Sequence, residues 1–125
     1  MEQPSDGAAG ENRCAGYPPR VSIVGLDHVQ VAAPARCEDE ARAFYGGLLG
    51  LEEIPKPTLL AAPGGCWFRV GAQELHVGVV EGFLPATKAH PGIVVGASDA
   101  LETVAERLVK AGAALTRARC RHVAR

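Results

Sequence analysis

At 125 residues and 13.0 kDa the chain fits one domain, and a hydrophobic content of 47% is enough for a real core. A formal net charge of −1 gives no chain-wide reason to expect a nucleic-acid or anionic-membrane partner. No apolar run approaches the roughly 18–20 residues that cross a bilayer, the first residues lack a secretory apolar run, and Cys14, Cys37, Cys66 and Cys120 form no C-x-x-C pair, so a soluble protein of the reducing cytoplasm is expected.

Residues 1–20 mix Gly, Pro, Ser and charge with hardly any large aliphatic side chain, which predicts a disordered arm. From Val21 to Ala33 the β-branched and apolar residues predict a strand, closed by Pro34. "CEDEARAFYGGLLG" predicts a helix: Glu38, Asp39 and Glu40 complement the macrodipole in its first turn, and Ala41, Phe44, Tyr45 and Leu48 form an apolar stripe. Gly46 and Gly47 each weaken its last turn by about 1 kcal/mol relative to alanine. Gly50 is its C-terminal stop. Pro55 and Pro57 make the next stretch irregular, after which "CWFRV" and "ELHVGVV" predict strands joined by the "GAQ" turn.

"HPGIVVG" predicts a further strand. Ser98 or Asp99 then caps a helix, Glu102 completes a capping box from Asp99, and Leu101, Val104, Ala105 and Leu108 supply its stripe up to Gly112. Residues 117–125 carry four arginines and no acid, with no aromatic among them, and read as an unstructured basic tail rather than a nucleic-acid patch.

The chain has only four histidines, and two of them mark a repeat. His28 and His90 stand 62 positions apart, each opening a strand that leads to a helix ending at a glycine, Gly50 or Gly112. The first copy reads β-α-β-β-β, which needs both parallel and antiparallel pairing and favours an α+β fold with helices on one face of a sheet. Strand alternation then sorts the side chains. Val29, Val31, Leu75, Val77, Val79, Phe68 and Val70 belong to the helix side. His28, Gln30, Trp67, Arg69, Glu74 and His76 belong to the other, and His90 shares that side by repeat position.

"LDHVQVAAP", "AFYGGLLGLEEIPKP", "GGCWFRVGAQELHVGV" and "KAHPGIVV" together resemble the vicinal oxygen chelate superfamily, which includes glyoxalase I, methylmalonyl-CoA epimerase, extradiol dioxygenases and the bleomycin and fosfomycin resistance proteins. The resemblance covers residues 24–115 and implies paired βαβββ modules, with module one at about 24–84 and a truncated module two at about 88–116 of a domain spanning 21–116. In that superfamily the two modules curve around a divalent metal. Carried over by position, the resemblance implies His28, His76 and His90 as ligands, with Zn, Fe, Mn or Ni as the ion. The counterpart of His76 in module two would fall at position 138, beyond residue 125, so no fourth ligand stands within this chain.

The other residues of that face carry two readings each. Glu74 is a spare ligand or proton acceptor, or else a solvated strand residue. Arg69 holds a substrate carboxylate or covers apolar surface with its stem. Trp67 walls a pocket or packs. Gln30 is a second donor or idle. The expected function is a glyoxalase-like metalloenzyme that chelates vicinal oxygens of a small carbonyl or acid while Glu74 moves a proton. A metal-free drug-binding protein and an inactive fragment that pairs as a homodimer through its open sheet edge are the alternatives.

Overall fold

A computed structural model describes residues 22–57, 59 and 64–116 of the protein. The arm expected at 1–20 and the basic tail at 117–125 lie outside the described residues. Four strands, β1 (His28–Ala33), β2 (Glu52–Ile54), β3 (Cys66–Val70) and β4 (Gln73–Val79), form one mixed sheet in the order β1-β4-β3-β2. β1 runs parallel to β4, and a parallel pair needs a long crossover, which the first helix, β2 and β3 supply. β3 and β4 form a hairpin in which Gly71, at φ 59°, provides the positive dihedral that a two-residue turn asks of its first position.

The first helix is two structures in series. α1 (Glu38–Ala41) is α-helical, and Arg42–Leu48 continues it as a π-helix, in which the Leu49 amide reaches back to the Phe44 carbonyl at 3.0 Å. The weakness expected of Gly46 and Gly47 is thus a widened coil through the whole second half, not a frayed last turn. Gly50, at φ 72°, stops it in the left-handed conformation. Arg42 donates from Nε to both carboxylate oxygens of Glu53 on β2, at 2.9 and 3.1 Å, tying the π-helical half to the far edge of the sheet.

The core lies between this helix and one sheet face. It holds Cys37, Ala41, Cys66, Phe68 and Val77, with Val31, Ala33, Tyr45, Leu51 and Val79 packed around them. Phe68 is 0% exposed and meets the Tyr45 ring at 5.5 Å between centroids. Burial pushes the Cys37 and Cys66 thiols up, so both stay protonated and unreactive within the core. At Gly65, φ 84°, a Cβ would run into the Val77 carbonyl, and its amide donates to Glu38 Oε1 at 2.8 Å. That close approach seats the chain entering β3 against both β4 and α1.

Two expected strands differ. The strand expected from Val21 begins only at His28, because its partner β4 begins at Gln73 and the chain turns away there; Ile23, Val24 and Leu26 are left exposed. The strand expected at His90–Gly96 forms no ladder, and Ile93 and Val94 are exposed. β1 exists because β4 lies beside it. Among the described residues no strand pairs with His90–Val95.

α2 (Ser98–Lys110) forms where expected and turns off at Gly112, φ 82°, but Ala97 occupies the cap position in place of Ser98 or Asp99. Its stripe of Leu101, Val104, Ala105 and Leu108 is exposed or half-buried, and no strand beside it is formed by the described residues.

Phe68→Ala should cost about 3–5 kcal/mol in urea unfolding, the range for a fully buried phenylalanine. The Gly65 amide, the largest cause, holds the Glu38 carboxyl below its ordinary range. Its stabilising contribution is therefore complete above the unfolded-state value and is lost as pH falls through the folded one. Glu38→Gln should flatten the acid limb of stability against pH and leave the slope near neutrality unchanged.

Candidate functional site

The face opposite the helix is laid out in two rows by strand register. One row runs Glu52, Arg69, Glu74, His28, and the next runs Ile54, Trp67, His76, Gln30, from β2 across β3 and β4 to β1. Neighbours within a row are directly opposed on paired strands, close enough for their side chains to touch. His28 therefore meets Glu74 and His76 although more than forty residues separate it from them in sequence.

Three rings form a stack across this face. Trp67 and His76 lie 3.7 Å apart between centroids and 2° from parallel, and His28 covers the other side of His76 at 4.2 Å and 13°. His76 is only 5% exposed for that reason, with a ring on each of its faces. A buried imidazole needs partners for its nitrogens. His76 Nε2 lies 2.8 Å from Glu74 Oε2, and His28 Nδ1 lies 2.8 Å from Asp27 Oδ2. Carboxylates accept, so His76 Nε2 and His28 Nδ1 are the donors of these contacts, and His76 Nδ1 and His28 Nε2 are the nitrogens they leave unused.

Gln30 folds over Gly78, where a Cβ would come within 2.7 Å of its amide nitrogen, so the missing side chain at 78 makes its berth. Arg69 is exposed and takes part in none of the ion pairs among the described residues.

His90 stands apart from this group. It lies in the unpaired stretch after β4, its Nδ1 donates to the Lys88 carbonyl at 2.8 Å, and it lines a cleft of about 480 Å³ along the β1 edge that Gln30 also borders. The structure brings His28, Glu74, His76 and Trp67 together and leaves His90 outside. Among the described residues no group of three or more His, Cys, Asp or Glu side chains is arranged to hold a metal ion. Sequence reasoning did not single out Asp27, which orients the His28 ring. The signal was its position next to His28, masked because strand alternation assigns adjacent residues to opposite faces.

The architecture matches solved structures. A protein from Bacillus anthracis assigned to the glyoxalase family is 53% identical, with 74% of each chain covered and a TM-score of 0.67. The chain belongs to the glyoxalase family. The wider vicinal oxygen chelate superfamily shares the fold: the fosfomycin resistance protein FosX from Listeria monocytogenes, solved with Mn(II) and a dihydroxypropylphosphonic acid, is 17% identical over 81% of this chain and 79% of its own, at TM-score 0.61. An integron cassette protein from the mobile metagenome of V. cholerae is 14% identical over 80% of this chain and 77% of its own, at TM-score 0.52. No family model matches the chain, and no curated protein does. No helix among the described residues is long and apolar enough to cross a membrane.

A divalent ion is the cofactor that this superfamily implies, and the face answers in two ways. Its donor chemistry suits an ion, since each imidazole is held through one nitrogen by a carboxylate and has a second nitrogen outside that contact. Its geometry does not. Lone pairs lie in the ring planes, two stacked and nearly parallel planes do not meet near the rings, and a ligand nitrogen must stand about 2.0–2.1 Å from a zinc ion. As placed, His28 and His76 do not fit a shared ion.

The pairing of His76 with Glu74 predicts a slowly exchanging imidazole Nε2–H proton in NMR spectra. Glu74→Ala should abolish that signal and lower stability by about 1–3 kcal/mol, because the buried N–H loses its acceptor. Asp27→Ala should leave it in place.

Proposed function

We propose that this glyoxalase-family protein binds a small carbonyl or acid compound on the face carrying His28, Trp67, Arg69, Glu74 and His76, and moves a proton at the carbon beside the carbonyl. The observation that supports this reading is the Glu74–His76 pair, a carboxylate 2.8 Å from a nearly buried imidazole nitrogen and still partly open to solvent itself. Glu74 accepts the substrate proton. His76, braced between Trp67 and His28, holds the carboxylate in place and answers its change of charge through the shared hydrogen bond. Arg69, one strand over in the same row as Glu74, takes the anionic end of an acid. Gln30 offers an amide to a substrate oxygen.

A second reading, in which a divalent ion binds His28 and His76 with Glu74 or His90, is supported by the carboxylate-oriented imidazoles and by the Mn(II)-containing relative. It requires one of the stacked rings to turn, and the proton step above does not depend on it.

Incubation of the full chain in deuterated water with pyruvate, dihydroxyacetone and 2-hydroxyacids should give catalysed exchange of the hydrogen beside the carbonyl for at least one compound, falling by roughly 100-fold or more in Glu74→Gln. Binding without exchange points to a sequestering protein, and exchange indifferent to Glu74→Gln refutes the assignment. Metal analysis of the purified protein decides the second reading: it expects a stoichiometric divalent ion that disappears in His76→Ala.

A further inference from the structure

We propose that the small acid is an α-amino acid, whose two charges and α-hydrogen are addressed by Glu52, Arg69 and Glu74, consecutive places in one row of the sheet. The inference rests on the proton-transfer reading for the face it uses, and adds Glu52 to it as the residue that sets the substrate class. Register places Glu52 of β2 directly opposite Arg69 of β3, and Arg69 opposite Glu74 of β4, on the side away from the helix. Directly opposed residues have Cβ atoms about 4.5–5.5 Å apart, so the three side chains can reach one small molecule.

Neighbouring charges differ in whether the protein itself engages them. Glu53, the next residue of β2, is taken up by Arg42 on the helix side at 2.9 Å, and the Glu74 carboxylate by His76 at 2.8 Å. Glu52 and Arg69 are exposed, and among the described residues neither takes part in an ion pair, with the other or with a third group. A carboxylate and a guanidinium that stand side by side unbonded offer a place to each pole of a ligand carrying both charges close together.

The balance of charge favours such a ligand over a plain anion. Asp27, Glu52 and Glu74 set three carboxylates against the single guanidinium of Arg69. A simple acid gains Arg69 but meets those negative groups, whereas an ammonium one carbon away turns the contact with Glu52 into an attraction. Arg69 stands between the two glutamates. A carboxylate held there keeps the adjoining carbon over the middle of the row, with its ammonium toward Glu52 and its hydrogen toward Glu74. The C–H bond breaks toward Glu74, its electron pair stays on the carbon beside the carboxylate, and a proton of solvent origin later replaces the one removed.

Alanine, propionate and ethylamine present both poles, the anion alone and the cation alone. Titrated into the full chain and followed through the indole N–H signal of Trp67, the single tryptophan, alanine in its better-bound enantiomer should bind about tenfold more tightly than either. Glu52→Gln, a nearly isosteric change at an exposed position, should weaken alanine by about tenfold and leave propionate no weaker. Arg69→Gln should weaken alanine and propionate alike. Because binding is measured apart from hydrogen exchange, selective binding without exchange supports this inference and overturns the proton step. No binding of alanine, equal affinity for alanine and propionate, or a preference for alanine that survives Glu52→Gln would each overturn the inference itself.

Discussion

The parallel register of β1 on β4 determines both faces of the sheet at once. With His28 opposite Glu74 and Gln30 opposite His76, the odd-numbered Val29 and Val31 fall onto the helix side, where Val31 packs against the core. A slip of β1 by one residue would put His28 and Gln30 against the helix and turn Val31 out of the core, so hydrophobic burial on one side enforces the polar arrangement on the other. The polar face is in this sense a by-product of core packing, and it needs no separate force to assemble it.

The ring stack resolves a cost that the register creates. Placing a histidine at 76 in the middle of a sheet desolvates an imidazole, which is unfavourable unless its nitrogens are bonded and its faces covered. Trp67 and His28 supply the covering surfaces, Glu74 supplies the acceptor, and each comes from a directly opposed or next-nearest position. No buried side-chain nitrogen or oxygen among the described residues is left without a partner. The Arg42–Glu53 contact does comparable work on the helix side, where a half-exposed ion pair contributes at most about 1 kcal/mol but sets where the π-helical segment meets β2.

Alternation alone placed His28, Gln30, Trp67, Arg69, Glu74 and His76 on one side of a sheet, and the ladder puts them there, because period-two patterning survives wherever one face is buried. The βαβββ order and the helix stops at Gly50 and Gly112 were legible for similar local reasons. The π-helix was not: Gly46 and Gly47 signal weakness in a helix, but not the wider coil that replaces it. His90 was legible as a repeat position and misleading as a neighbour of His28. A repeat in sequence becomes a repeat in space only when each copy finds its ladder, and "HPGIVVG" has none among the described residues. The stacking of the rings, as opposed to their shared face, depends on side-chain rotation, which spacing does not encode.

The hairpin of β3 and β4 closes locally, on a timescale of roughly 1–10 μs for such units, and already carries Trp67, Glu74 and His76. His28 arrives only when β1 docks, after some forty intervening residues have been gathered in and that loop's entropy has been lost. Among the described residues β1 has a single neighbouring strand to hold it. Transient opening of this domain should therefore begin with the strand that bears His28, so that the site flickers between a half-built and a complete state while the rest of the sheet stays folded.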